Sequence, residues 1–216
     1  MGGTQMDWMA QSIDYCERVG FGFWDEPVNA VTNLSFVLAG LVMWGRCRGL
    51  PMGRALSALI MVIGVGSFLW HTFATRWAEM ADTLPIGIFI LTYLFAVNRD
   101  MLRWPLWRAA LGTAAFIPYA MVVVPLANAL PFFRVSNFYW TVPLLLVIYA
   151  LIFLRGRAEA RGFWIGAGLL AVSISVRSVD RAWCEVLPIG THFLWHTING
   201  VMLGWMVEVY RRSRIT

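Results

Sequence analysis

The sequence predicts an all-α integral membrane protein: a bundle of seven transmembrane helices with its N-terminus outside and its C-terminus cytoplasmic. Three observations lead there. Of 216 residues, 59% are hydrophobic and only 13% charged, against about 25% charged in a soluble domain. All 17 basic residues are arginine, and they sit in small groups between apolar runs. Many of the 12 Trp and 14 Phe fall near the ends of those runs, where an interfacial aromatic belt lies. The formal charge of +5 therefore reads as the loop charge of a polytopic protein, and no nucleic-acid partner is expected.

A spanning helix needs about 20 mostly apolar residues. Seven segments qualify: 28–45, 55–75, 80–97, 106–127, 137–154, 162–179 and 190–210. Asn29, Thr32, Asn33 and Ser35 interrupt the first, and the third is short unless it begins before Asp82. Pro118, Pro125 and Pro143 lie inside expected spans, which membrane helices tolerate where neighbours satisfy the freed carbonyls. Alternate loops and the tail hold Arg46, Arg48, Arg54, Arg99, Arg103, Arg108, Arg155, Arg157, Arg161, Arg211, Arg212 and Arg214. The other side holds Arg18, Arg76, Arg134, Arg177 and Arg181, a split of 12 against 5. The positive-inside rule then puts the N-terminus outside. Residues 1–216 read as a single domain opening on an acidic outer segment, 1–27. That segment lacks the basic region and apolar run of a signal peptide, so it is expected to be retained and folded.

The three histidines are His71, His192 and His196. On this topology His71 lies near the outer end of the second span, and the other two open the seventh. All three reach one membrane layer although 121 positions separate the first two. His192 and His196 are one helical turn apart on one face. With a third imidazole from a facing helix they give the three protein ligands of a catalytic zinc, leaving a position for water. An i,i+4 pair alone is also compatible with haem or with interhelical hydrogen bonding. Ser67 and Asp82 fall at the same level. A carboxylate there is placed to move a proton, and a hydroxyl to stabilise an oxyanion. The plainer alternatives are that Asp82 caps the third span and Ser67 bonds back to its own helix.

Asp14, Glu17 and Glu26 crowd the outer segment beside Asp25. Such a cluster is either a solvated acidic face or an oxygen-only site of the kind calcium takes. Cys16 and Cys184 fall outside and Cys47 inside, so an oxidising outer compartment favours a Cys16–Cys184 bridge.

Three blocks of the chain resemble the alkaline ceramidases, members of a wider superfamily with adiponectin receptors and haemolysin-III-like proteins. They are Asp14-Tyr15-Cys16-Glu17 with Glu26-Pro27-Val28-Asn29 and Thr32-Asn33; Gly66-Ser67-Phe68-Leu69-Trp70-His71-Thr72 with Asp82-Thr83-Leu84-Pro85; and Gly190-Thr191-His192-Phe193-Leu194-Trp195-His196. The resemblance implies a seven-helix zinc amidase that cleaves ceramide-like N-acyl lipids to a free fatty acid and a sphingoid-type amine. By position it implies His71, His192 and His196 as zinc ligands, Ser67 as oxyanion stabiliser and Asp82 as proton shuttle. It further implies calcium held by the side chains of Asp14, Glu17 and Glu26, with backbone oxygens of Tyr15 and Val19. Tyr15 stands where the family usually has Trp and Val19 where it has Asn, and the stretch up to Glu26 is about two residues short. Loops shorter than in eukaryotic members suggest a bacterial inner-membrane protein with its site toward the non-cytoplasmic side. Rival readings are a receptor on the same scaffold with structural zinc, a haem protein, or a hydrolase of another membrane lipid.

Overall fold

The computed structural model describes residues 7–215. Among them the chain is helical, with helices α1 (Pro27–Arg46), α2 (Pro51–Phe73), α3 (Arg76–Met101), α4 (Leu106–Asn128), α5 (Thr141–Phe153), α6 (Ala158–Ala182) and α7 (His192–Ile215). Five of them, α1, α2, α3, α4 and α6, are long and apolar enough to cross a membrane. Helix α5 is shorter, and the histidines and Asn199 make α7 more polar. The helices expose rows of large apolar side chains, among them Leu38, Val62, Ile88, Met121, Val122 and Val201. An apolar surface of that extent marks contact with lipid rather than water.

Local chemistry sets the breaks. Pro27 and Pro51 occupy first-turn positions of α1 and α2, where their missing N–H costs nothing. In α4 the regular helix is interrupted at Ala115, three residues before Pro118, which cannot donate to the preceding turn. Helix α3 corrects one expectation. It starts at Arg76, behind the extended Thr75, so Asp82 lies well inside the helix instead of capping it. The apolar count missed Arg76, Trp77 and Glu79 because these residues are suited to an interface.

Ahead of α1, the acidic segment lies as a strap over the C-terminal end of α2 and the N-terminal end of α3. Gln11 Nε2 donates to Phe73 O (3.0 Å), Ser12 N to Ala74 O (3.0 Å), and Arg76 N to Ala10 O (3.1 Å). The strap is joined to the loop before α7 by the Cys16–Cys184 disulfide, whose Cα atoms are 5.1 Å apart. At the opposite end of the bundle, Glu208 on α7 pairs with Arg46 at the end of α1 and with Arg211 and Arg212 of its own helix.

Candidate metal centre

Helices α2 and α7 bring the three histidines together. One ring nitrogen from each lies within 4.8 Å of the others, and all three residues are buried. Ring centroids are 4.7 Å apart for His71 and His196, 4.6 Å for His192 and His196, and 5.1 Å for His71 and His192. Among the described residues, no other group of three or more His, Cys, Asp or Glu is gathered in this way.

Each ring is held by a different neighbour. His71 Nδ1 lies 2.6 Å from Glu26 Oε2. A carboxylate only accepts, so Nδ1 carries the proton and Nε2 keeps its lone pair. His196 Nδ1 lies 2.9 Å from Thr32 Oγ1. That hydroxyl already gives its proton to the carbonyl of Val28 or Asn29, at 2.8 and 3.0 Å. It therefore accepts from His196, which leaves Nε2 of that ring free as well. His192 stacks on Tyr15 with centroids 3.6 Å apart and planes inclined by 22°. His71 Nε2, His196 Nε2 and His192 Nδ1 are buried with no hydrogen-bond partner. Orphaned buried nitrogens are costly, and three facing one another fit a metal of the zinc type, which takes imidazole readily.

Asp180 fixes the start of α7. Its Oδ1 accepts from Thr191 N (2.6 Å) and His192 N (2.9 Å), and its Oδ2 from Cys16 N (3.0 Å). A carboxylate from the end of α6 thus caps α7 and binds the strap. Gly190 allows this approach: it has φ +64°, and a Cβ there would strike the Asp180 carboxylate.

Ser67 on α2 and Asp82 on α3 line one cavity and lie close enough to interact electrostatically. The helices touch because Gly66 packs against the Ala81 carbonyl; any Cβ at Gly66 would collide with that oxygen. Both side chains line the top of an apolar cavity that runs past Phe89 and Ile90 toward Tyr93 and Met206. Asp82 also borders a polar vestibule shared with His192, Tyr15, Arg177 and Glu79. It therefore stands where the polar and apolar spaces meet.

Of the carboxylates expected to hold calcium, Glu17 and Glu26 are engaged by other partners. Glu17 accepts from Val28 N (2.7 Å) and Asn29 N (2.8 Å), one oxygen each, and so caps α1. Burial raises its pKa against these bonds. Glu26 takes Arg18 Nε on one oxygen, and His71 Nδ1 (2.6 Å) and Asn29 Nδ2 (3.0 Å) on the other. Burial opposes its charge, but the bonds from His71, Arg18 and Asn29 outweigh it and hold the carboxyl below its usual range. Asp14 is exposed and accepts from Ser12 Oγ (2.9 Å). Val19 is 88% exposed. Tyr15 contributes its ring to His192.

Sequence reasoning missed Arg18, Thr32 and Asp180. A signal existed for Thr32: Glu26, Asn29, Thr32 and Asn33 recur at helical spacing, a polar stripe in an apolar helix that needs buried partners. Arg18 and Asp180 act across large sequence separations and left no such pattern.

Over residues 9–211 the chain matches the family model described as Ceramidase. No individually curated protein matches it significantly.

Proposed function

The chain belongs to the ceramidase family, and on that premise we propose that it is a zinc-dependent hydrolase of the amide bond in ceramide-like N-acyl lipids. The products are a free fatty acid and a sphingoid-type amine. One observation carries the reading: three partnerless imidazole nitrogens converge beside a Ser67–Asp82 pair at the mouth of an apolar cavity.

His71, His192 and His196 would hold the ion. Zinc bound there supplies a Lewis acid for the amide carbonyl and a water of lowered pKa. Asp82 accepts the proton of the attacking water and returns it to the nitrogen of the leaving amine, so its carboxyl ends the cycle as it began. Ser67 turns its hydroxyl to the oxygen that becomes negative as the carbonyl carbon goes tetrahedral. Tyr15 and Asp180 keep the His192 ring and the start of α7 in place throughout.

The apolar cavity takes the acyl chain. From Asp82 to Tyr93 it follows α3 for about 16 Å at 1.5 Å per residue, a depth suited to a long chain. Helices α3 and α5 line the same cavity and pack little on one another beside Asp82, being joined farther along by the Tyr149 Oη to Asn98 Oδ1 hydrogen bond (2.8 Å). The lipid therefore enters sideways between them, its tail leading inward and its amide stopping at the histidines.

We read α1 to α7 each as a crossing, with the strap and histidines at the non-cytoplasmic face. Two features support this. The disulfide lies at the histidine end, and the groups formed by Arg46, Glu208, Arg211 and Arg214 lie at the other. The test is incubation of the purified protein with ceramide and with other N-acyl and ester lipids, followed by mass spectrometry of the products. Fatty acid released from the amide lipids supports the reading. Release from esters alone transfers the activity to another lipid class, and release from none removes the enzymatic reading.

A further inference from the structure

What stands among the expected calcium ligands is a guanidinium. The side chain of Arg18 is 0% exposed. Its Nε donates to Glu26 Oε1, its Nη1 to Gly20 O (3.1 Å) and Gly22 O (3.4 Å), and its Nη2 to His71 O (2.7 Å). One carboxylate oxygen and three carbonyls are the kind of oxygen set that a hard cation collects. Here the planar fork of one arginine, with donors fixed in direction, collects all four.

We propose that Arg18 is the resident cation of the outer segment, performing in this chain the ordering task for which the resemblance implies calcium. Its guanidinium ties the 18–26 turn to the backbone of His71, and through Glu26 it sets the His71 ring with Nε2 aimed at the metal. Arg18 touches neither ion nor substrate; it is a positioning residue that acts through Glu26. The oxygens of Glu17 and Glu26 are already taken by Val28, Asn29, Arg18 and His71. A calcium ion would have to displace a buried, fully charged donor to reach Glu26. This rests on His71 being a metal ligand, which the zinc content of the unaltered protein checks separately.

The deciding experiment is a calcium titration of the purified, zinc-loaded full chain from micromolar to millimolar concentration, following melting temperature and zinc content. The expected result is no saturable change in either. A saturable rise in melting temperature overturns the proposal. Arg18→Met, which keeps most of the apolar stem and loses the charge, should release zinc to a chelator about tenfold faster or more, the range of a lost outer partner of a ligand. Arg18→Lys should fall between Met and the natural residue, because one ammonium replaces part of the fork. Unchanged zinc release in Arg18→Met, or equal acceleration in Met and Lys, contradicts a role for the charge. If neither variant folds, the calcium titration of the natural protein decides alone.

Discussion

His71 Nδ1 donates to Glu26 Oε2 at 2.6 Å, joining the C-terminal end of α2 to the residue that precedes α1. The bond does two things at once. It fixes the tautomer that leaves Nε2 available to a metal, and it gives a buried carboxylate a partner besides Arg18 and Asn29. A carboxylate behind a ligating imidazole also raises the basicity of the ring.

Glu26→Gln keeps the shape and removes the charge. Arg18 is then buried without its counterion, an imbalance worth about 3–5 kcal/mol when one partner of a buried pair is deleted. Melting temperature should fall clearly, and zinc affinity by about 10- to 100-fold. Thermal melting and competition against a zinc chelator check both. A variant that melts and binds zinc like the natural protein contradicts this role for Glu26.

Thr32→Val is nearly isosteric and deletes the acceptor for His196 Nδ1. Because α1 needs no hydroxyl to fold, the expected effect is on metal retention: about tenfold weaker zinc binding with little change in the helix signal by circular dichroism. Excess zinc should restore activity. Activity that stays low when zinc is saturating places the function of Thr32 elsewhere.

Asp82→Asn keeps the size and shape of the side chain beside Ser67 and cannot take a proton. Zinc content should stay at the natural level while turnover falls by about 10²- to 10⁴-fold, the usual contribution of a general acid–base. Full turnover in a zinc-replete Asp82→Asn protein removes Asp82 from the proposed chemistry.

Gly66→Ala tests the contact between α2 and α3. The added methyl meets the Ala81 carbonyl, and overpacking of this kind costs about 1–3 kcal/mol. Separating the helices pulls Ser67 from Asp82, so the turnover number should drop more than zinc content does. Equal turnover and stability contradict the close approach.

Much of the architecture was legible because a membrane leaves few options. Backbone groups in hydrocarbon must be paired within the segment, so long apolar runs are helices, and the runs at 28–45 and 106–127 match α1 and α4 closely. Boundaries were less legible. Arg76, Trp77 and Glu79 read as loop by polarity although they form the first turn of α3. The histidines were readable for a related reason, since an imidazole in an apolar run demands an explanation. Which neighbours orient them was not, although the polar stripe of Glu26, Asn29, Thr32 and Asn33 signals buried partners for that face of α1. Glu26, Thr32 and Asp180 reach their partners across 45, 164 and 12 positions, and only the folded chain puts those atoms together. The acidic segment shows the limit of motif reading: the sequence shows the carboxylates, but not that those of Glu17 and Glu26 are engaged by the α1 backbone, Asn29, Arg18 and His71.

The central claim is that His71, His192 and His196 jointly hold one ion that the hydrolysis requires. Inductively coupled plasma mass spectrometry of the purified chain and of its His71→Ala variant, on samples also assayed for ceramide cleavage, tests it most directly. The expected result is about one zinc per chain in the natural protein, with both zinc and cleavage lost in the variant. A folded, zinc-free His71→Ala protein that still releases fatty acid from ceramide would contradict it.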